Sequence, residues 1–223
     1  MPEVQNECIR CGTCCMKGGP ALHTGDLQLV SRNKIHLEHL VTIRQGEPAL
    51  SPLGNKLEYL QSEIIKLKGQ ANDWACLFFD KQSSSCMIYQ HRPKECTLLK
   101  CWDTADLEKV LYKELLNRSD IIPGDGPVQE YIALHEKECS LAGLSSLLSS
   151  LPVASSQDEI MAELTHLVQK DVAIRARALA SSDFQEKTEL FVFGRPLFII
   201  LQNFGIKVQE MGGTLVLQFI PEK

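Results

Sequence analysis

Four cysteines sit within eight consecutive positions, Cys8, Cys11, Cys14 and Cys15, in the pattern C-x2-C-x2-C-C. Cys76, Cys86, Cys96 and Cys101 follow, so eight of the nine cysteines lie in the first 101 residues. Thiolates separated by two residues can turn back onto one cation, which is why this spacing recurs in zinc and iron–sulfur sites. The first three share the spacing of ferredoxin-type cluster loops. The fourth departs from it, because Cys15 directly follows Cys14. Side chains of adjacent residues diverge in regular structure. Cys14 and Cys15 are therefore expected to serve different metals, or different edges of one cluster, with Gly12 and Gly18-Gly19 supplying close turns. The plainer alternative is a set of buried structural thiols plus one C-x2-C redox pair.

The remaining candidates are weaker. His23 and His91 lie near cysteines and could ligate, whereas His36, His39, His135 and His166 are expected on helix surfaces. Asp26 is a helix-capping candidate before it is a ligand. Cys139 stands alone in the other half and is expected to be structural. There is no H-E-x-x-H, no G-x-S-x-G and no phosphate-cradling glycine loop, so no reaction is named by motif.

Bulk properties frame these residues. A chain of 223 residues can bury one good core or two small ones. Mean hydropathy is near zero, as in soluble globular proteins. The start lacks a basic region followed by an apolar stretch, and Leu190 to Leu201 is interrupted by Gly194, Arg195 and Pro196. The expectation is a cytoplasmic protein without a membrane segment, where crowded thiols are ligands rather than disulfides. Residues 1–101 carry 12 Lys+Arg and 10 Asp+Glu, and the remainder carries 11 and 18. Such a balance is a poor match for nucleic acid, which is not an expected partner. The acidic C-terminal half is the surface expected to meet a protein partner.

The elements that must position the thiols read as follows. A helix starts at Thr24 or Asp26, and a second short one carries Leu37, Leu40 and Val41. Residues 46–54 read as a loop, and Lys56 to Lys68 suits a helix with Leu57, Leu60, Ile64, Ile65 and Leu67 as its buried stripe. Cys76 to Asp80 and Cys86 to Tyr89 read as a small hairpin that brings Cys76 and Cys86 together. A helix then opens at Pro93 and carries Cys96, with Leu98, Leu99 and Trp102 packing inward. Beyond it, Asp106 to Leu116, Val128 to Glu138, Asp158 to Leu179 and Leu197 to Phe204 are helix-patterned. Ser145 to Ser156 reads as a loop or a helix end. Ile206 to Met211 and Thr214 to Ile220 flank Gly212-Gly213, a strong hairpin signal.

Taken together, Cys8-Ile-Arg-Cys11-Gly12-Thr-Cys14-Cys15, Cys76-Leu-Phe-Phe-Asp and Cys86-Met-Ile-Tyr89-Gln-His-Arg92-Pro93-Lys-Glu-Cys96 resemble the YkgJ-type cysteine-cluster family. That family is described as zinc- or iron-chelating, and many members are labelled iron–sulfur proteins. The resemblance covers about residues 8–101. It implies a ligand set of Cys8, Cys11, Cys14, Cys15, Cys76, Cys86 and Cys96, with Cys101 joining them. A similar cysteine pattern is associated with bacterial flagellin lysine methylases, which implies a modification reaction as one role. Beside the thiols, Arg92 is placed to offset thiolate charge or donate to sulfur, and Tyr89 reads as an interior aromatic; both are assigned to the cofactor's surroundings.

The resulting expectation is an α+β protein, mainly helical. Residues 1–103 form a metal-organised unit with a small hairpin, and 104–223 form a mostly helical unit ending in a β-hairpin. The leading function is to hold an iron–sulfur or polynuclear iron centre for electron transfer, sensing or an associated modification. The alternatives are a zinc-stabilised interaction module and a cluster-dependent, methylase-like enzyme.

Overall fold

The computed structural model describes residues 8–52, 56–71, 73–151, 157–211 and 214–220. Its strands are β1 (Leu40–Ile43), β2 (Pro48–Leu50), β3 (Leu57–Tyr59), β4 (Ile64–Leu67), β5 (Phe79–Asp80), β6 (Ser85–Cys86), β7 (Ile206–Met211) and β8 (Thr214–Phe219). The helices are α1 (Leu27–Ser31), α2 (Lys94–Leu98), α3 (Ala105–Glu108), α4 (Arg118–Ile121), α5 (Pro127–Glu138), α6 (Leu144–Ser150), α7 (Gln157–Leu179), α8 (Glu189–Phe193) and α9 (Leu197–Gln202). The class is α+β: mainly helical, with small antiparallel hairpins, one of them at the C-terminal end.

Two compact units interleave along the chain. One comprises residues 1–41 and 64–123, the other 42–63 and 124–223. The first unit contains all eight early cysteines. Its buried apolar residues include Leu22, Ile35, Leu40, Ile65, Leu67, Phe78, Phe79 and Leu116. Much of it is short strands, 3-10 turns and loops, so long elements contribute little to holding it in shape.

The second unit is built on α7, whose buried positions are Leu164, Val168, Asp171, Arg175 and Ala178. These recur every three or four residues and mark one face of a helix. Leu164 and Val168 join Leu144, Leu148, Leu197, Ile200, Leu201, Ile206 and Leu217 in one core. The C-terminal hairpin runs in register from Ile206↔Phe219 to Glu210↔Leu215. Its glycine pair, residues 212–213, lies outside the described residues. The preceding helix ends at Gln202, two residues short of the range expected, and Gly205, at φ +72°, leads into β7.

Several expected elements differ. Lys56 to Lys68 is not a helix. Its two ends form β3, paired antiparallel with β2, and β4. The apolar spacing fits a helix, but Leu57 is 51 % exposed, so the stripe has no common face. The β-branched pair Ile64-Ile65 instead packs in a strand. Leu40 and Val41 likewise begin a strand rather than a helix, after a 3-10 turn at Leu37–His39. Residues 48–50, read as loop, form β2. Ser145 to Ser150 is helical, because Leu144 and Leu148 reach the core one turn apart; residues 152–156 lie outside the described residues. Of the Asp106 to Leu116 pattern only α3 forms. Trp102 remains 37 % exposed rather than packed inward. Among the described residues, no helix is long and apolar enough to cross a membrane.

Candidate metal centre

The first cysteine run is shaped by one glycine. Gly12 has φ +75°, a left-handed conformation that side chains resist. A Cβ there would overlap the ring of Phe79, so the loop lies against the hairpin strand that carries Phe79. Met16 N–H donates to Gly12 C=O at 2.9 Å and closes the turn over Cys14 and Cys15. Cys15–Lys17 then form a 3-10 turn.

Two backbone ties hold the next segment. Cys76 N–H donates to the Cys15 carbonyl at 2.7 Å, joining the first run to the second. Cys76 also bridges Gly69. The Gln70 side-chain amide donates to the carbonyls of Cys76 at 3.2 Å and Phe79 at 2.6 Å, clamping the turn between them. The expected hairpin is present, but its paired residues are Phe79↔Cys86 and Asp80↔Ser85. Cys76 precedes the strand and is brought in by the turn.

Cys96 is positioned by carboxylates. Asp26 accepts from Lys94 N–H at 2.9 Å through one oxygen and from His23 N–H at 2.9 Å through the other. It thereby satisfies an orphan donor at the start of α2. Glu95, beside Cys96, accepts from Ala21 N–H at 2.8 Å. His23 is fully buried, with Nδ1 on the Lys113 carbonyl at 2.8 Å and Nε2 at 3.4 Å from Glu95. Its ring serves this scaffold. His91 ends an exposed 3-10 turn, Tyr89–His91.

Cys14, Cys15, Cys76, Cys86 and Cys96 lie near enough in the first unit to act on one another electrostatically, although among the described residues no three of their sulfurs lie within 4.8 Å of one another. Burial pushes the Cys15 thiol up to about 12, with Cys14, Cys76 and Cys86 adding to the effect. Burial raises Cys96 most, followed by Cys76, Cys15, Cys86 and Cys14. Cys76 is raised by burial, Cys86 and Cys14, against a backbone hydrogen bond from Phe78. The neighbouring thiols thus oppose ionisation of Cys15, Cys76 and Cys96, the situation that a cation among them relieves. The donor set fits a thiophilic metal. The Sγ atoms of Cys14 and Cys15 are 4.0 Å apart. A tetrahedral site with zinc–sulfur bonds of about 2.3 Å has edges of roughly 3.8 Å. The Cys14 and Cys15 sulfurs are thus close to one such edge length apart, nearer than the divergence of side chains in regular structure suggests. The irregular turn after Gly12 removes that constraint.

Cys8, Cys11 and Cys101 are exposed. None of them is among the groups that shift Cys15, Cys76 or Cys96. The Cys11 sulfur lies 3.2 Å from the Thr13 hydroxyl, which together with the Thr13 backbone lowers its pKa. Cys101 sits in a turn closed by the Lys100–Asp103 bridge. Near the loop, the Arg92 guanidinium carbon lies 3.7 Å from the Tyr89 ring centroid, and that of Arg10 4.3 Å.

The second unit holds a polar cluster that the sequence reading missed. His135 is fully buried, not on a helix surface. Its Nε2 lies 2.6 Å from Asp171 Oδ1, which also accepts from Arg175 Nε at 2.9 Å. Asp171 Oδ2 accepts from Leu197 N–H at 3.0 Å. Buried Arg44 forms a fork onto Glu136 and donates to the Cys139 carbonyl at 2.7 Å. Glu47 accepts from Arg44 N–H and pairs with Arg195. His135, Cys139 and Asp171 have ligand atoms within 4.8 Å of one another. The chemistry argues against a metal there, because both Asp171 oxygens already accept hydrogen bonds and the Arg44 and Arg175 guanidinium groups lie close enough to bear on His135 and Cys139. A signal did exist: Asp171 and Arg175 fall on the apolar stripe of α7, where unpaired charges are not tolerated.

Residues 7–117 match the model of the CxxCxxCC family, described as a putative zinc- or iron-chelating domain. That segment belongs to this family, in agreement with the resemblance carried by its cysteines. No curated protein and no solved structure matches the chain. The segment is a metal-binding domain of the zinc- or iron-chelating class.

Proposed function

We propose that the thiols hold a polynuclear iron centre, iron–sulfur in type. The mutual electrostatic influence of five neighbouring thiols supports this reading, because one tetrahedral ion uses four. Cys8, Cys11 and Cys101 are the further donors, on exposed segments of the same unit. Iron is favoured by the C-x2-C-x2-C spacing, shared with ferredoxin-type loops. A thiolate-bound iron centre supplies one-electron chemistry. With Cys8, Cys11 and Cys14 exposed, electrons can pass to a partner that docks beside the loop. The protein partner, in turn, is recognised by the acidic C-terminal half, and a reducing cytoplasm keeps the thiols available. Electron transfer or redox sensing is the role this supports, and a coupled modification reaction is its enzymatic extension.

A zinc-stabilised interaction module is the second reading. The 4.0 Å separation of the Cys14 and Cys15 sulfurs favours it, as the edge of one tetrahedral site. Protein expressed and purified without oxygen separates the two. Brown colour, more than one iron per chain and acid-labile sulfide support the iron reading. Colourless protein with stoichiometric zinc and no sulfide rejects it.

A further inference from the structure

Two arginines share one aromatic ring beside the thiols. Arg10 lies between Cys8 and Cys11, and Arg92 between Cys86 and Cys96. Their guanidinium carbons are 4.3 and 3.7 Å from the Tyr89 centroid. Cation–π contact engages the face of a guanidinium and leaves its in-plane N–H edge open. Among the described residues neither arginine forms an ion pair, although other charged side chains of the same unit do. Arg92 Nε is buried and has no hydrogen-bond partner. A buried donor left unmade is costly, and so is holding two like charges on one ring. Arg10 adds backbone strain, with φ +56° in the left-handed region.

We propose that Arg10, Tyr89 and Arg92 form an oxyanion-binding site, which takes a carboxylate or phosphate group of a substrate or partner beside the metal centre. Planar guanidinium forks match both groups bidentately. An incoming oxyanion neutralises the paired positive charge and gives Arg92 the acceptor it lacks. Tyr89 holds both cations in place, which lowers the entropy lost on binding. As a substrate site this rests on the metal-centre reading; as an oxyanion site it is measured separately.

The test is calorimetric titration of the metal-loaded full chain with inorganic phosphate and, separately, acetate. Ionic strength is held constant with sodium chloride, and metal content is determined on every sample. The expected result is saturable one-to-one binding of at least one anion. Arg10→Gln and Arg92→Gln each weaken it about tenfold or more, and Arg92→Lys does not restore it because the fork is lost. Stronger phosphate binding identifies a phosphoryl ligand, and stronger acetate binding a carboxylate; either supports the site. Absence of saturable binding by both anions overturns it, as does binding that both glutamine variants leave unchanged. If anion binding is absent and Arg92→Gln instead loses metal, the arginines serve the centre itself and the proposal is wrong. Low metal with intact anion binding counts against the centre and leaves the oxyanion site standing.

Discussion

The backbone N–H of Cys76 donates to the carbonyl of Cys15 at 2.7 Å, tying two cysteine segments far apart in sequence. The tie spans a unit of short strands and 3-10 turns, where metal–thiolate bonds have most to add. Structural zinc contributes about 10–16 kcal/mol of apparent free energy in small zinc peptides. Chelation is therefore expected to raise amide exchange at Met16, Cys76 and Phe79 before it affects α5 or α7. Hydrogen-exchange mass spectrometry of loaded and metal-stripped protein measures this. Equal protection in both states would show that the metal does not hold these segments.

Thiol substitutions sort the ligand set. Cys15→Ser, Cys76→Ser, Cys86→Ser and Cys96→Ser are each expected to lower metal per chain, read by elemental analysis. Cys139→Ala, in the core of the second unit, is expected to keep full metal content. It costs stability, about 1 kcal/mol, through lost packing. Loss of metal in that variant would place Cys139 at the centre.

Gly12 makes a sharper test of loop placement. Gly12→Ala meets the Phe79 ring and also pays for its left-handed φ. Overpacking costs about 1–3 kcal/mol, and the backbone strain adds about 1 kcal/mol. The expected outcome is a lower melting temperature and reduced metal loading. The double variant Gly12→Ala/Phe79→Leu regains the packing part only. A neutral single variant would mean that the loop does not rest on Phe79.

The second unit has its own pH dependence. Burial lowers the pKa of His135, with Arg44 and Arg175 reinforcing it against the pull of Asp171. The folded unit therefore binds fewer protons than the unfolded chain below the ordinary histidine value. Its contribution is complete above about pH 6.5 and is lost as pH falls through the lowered folded value. The depressed Asp171 carboxyl acts in the same direction at lower pH: burial opposes its ionisation, but His135, Arg175 and Leu197 N–H outweigh that. Urea unfolding followed by helical circular dichroism should show less stability at pH 5.5 than at pH 7.5. His135→Gln should flatten that difference; an unchanged pH slope would assign it elsewhere.

How much of this was legible in sequence depends on the forces involved. The C-terminal hairpin, α5 and α7 were readable because periodicity and turn residues act locally. The hairpin between Cys76 and Cys86 was readable for the same reason, although Phe79 rather than Cys76 is paired with Cys86. The β2–β3 pair was not, since Leu57 and Leu60 satisfy a helical spacing and only the partner strand decides between the two. Interleaving of the two units at residues 42–63 depends on contacts such as Thr42 with Phe191 and Glu47 with Arg195, which no local pattern encodes. At the site, the cysteines announced themselves by spacing, and Asp26 was readable as a cap, although not as the cap of the distant α2. Gln70 was not readable, because a side chain that clamps backbone through its amide leaves no periodic trace. The 4.0 Å approach of the Cys14 and Cys15 sulfurs was not legible, because helix and strand geometry does not describe this turn.

X-ray absorption at the iron and zinc edges of anaerobically prepared protein tests the central claim most directly. The account predicts iron in a sulfur shell with a second metal neighbour, and loss of that neighbour in Cys96→Ser. Zinc in a single shell of four sulfurs, with no metal neighbour and no iron, would contradict it.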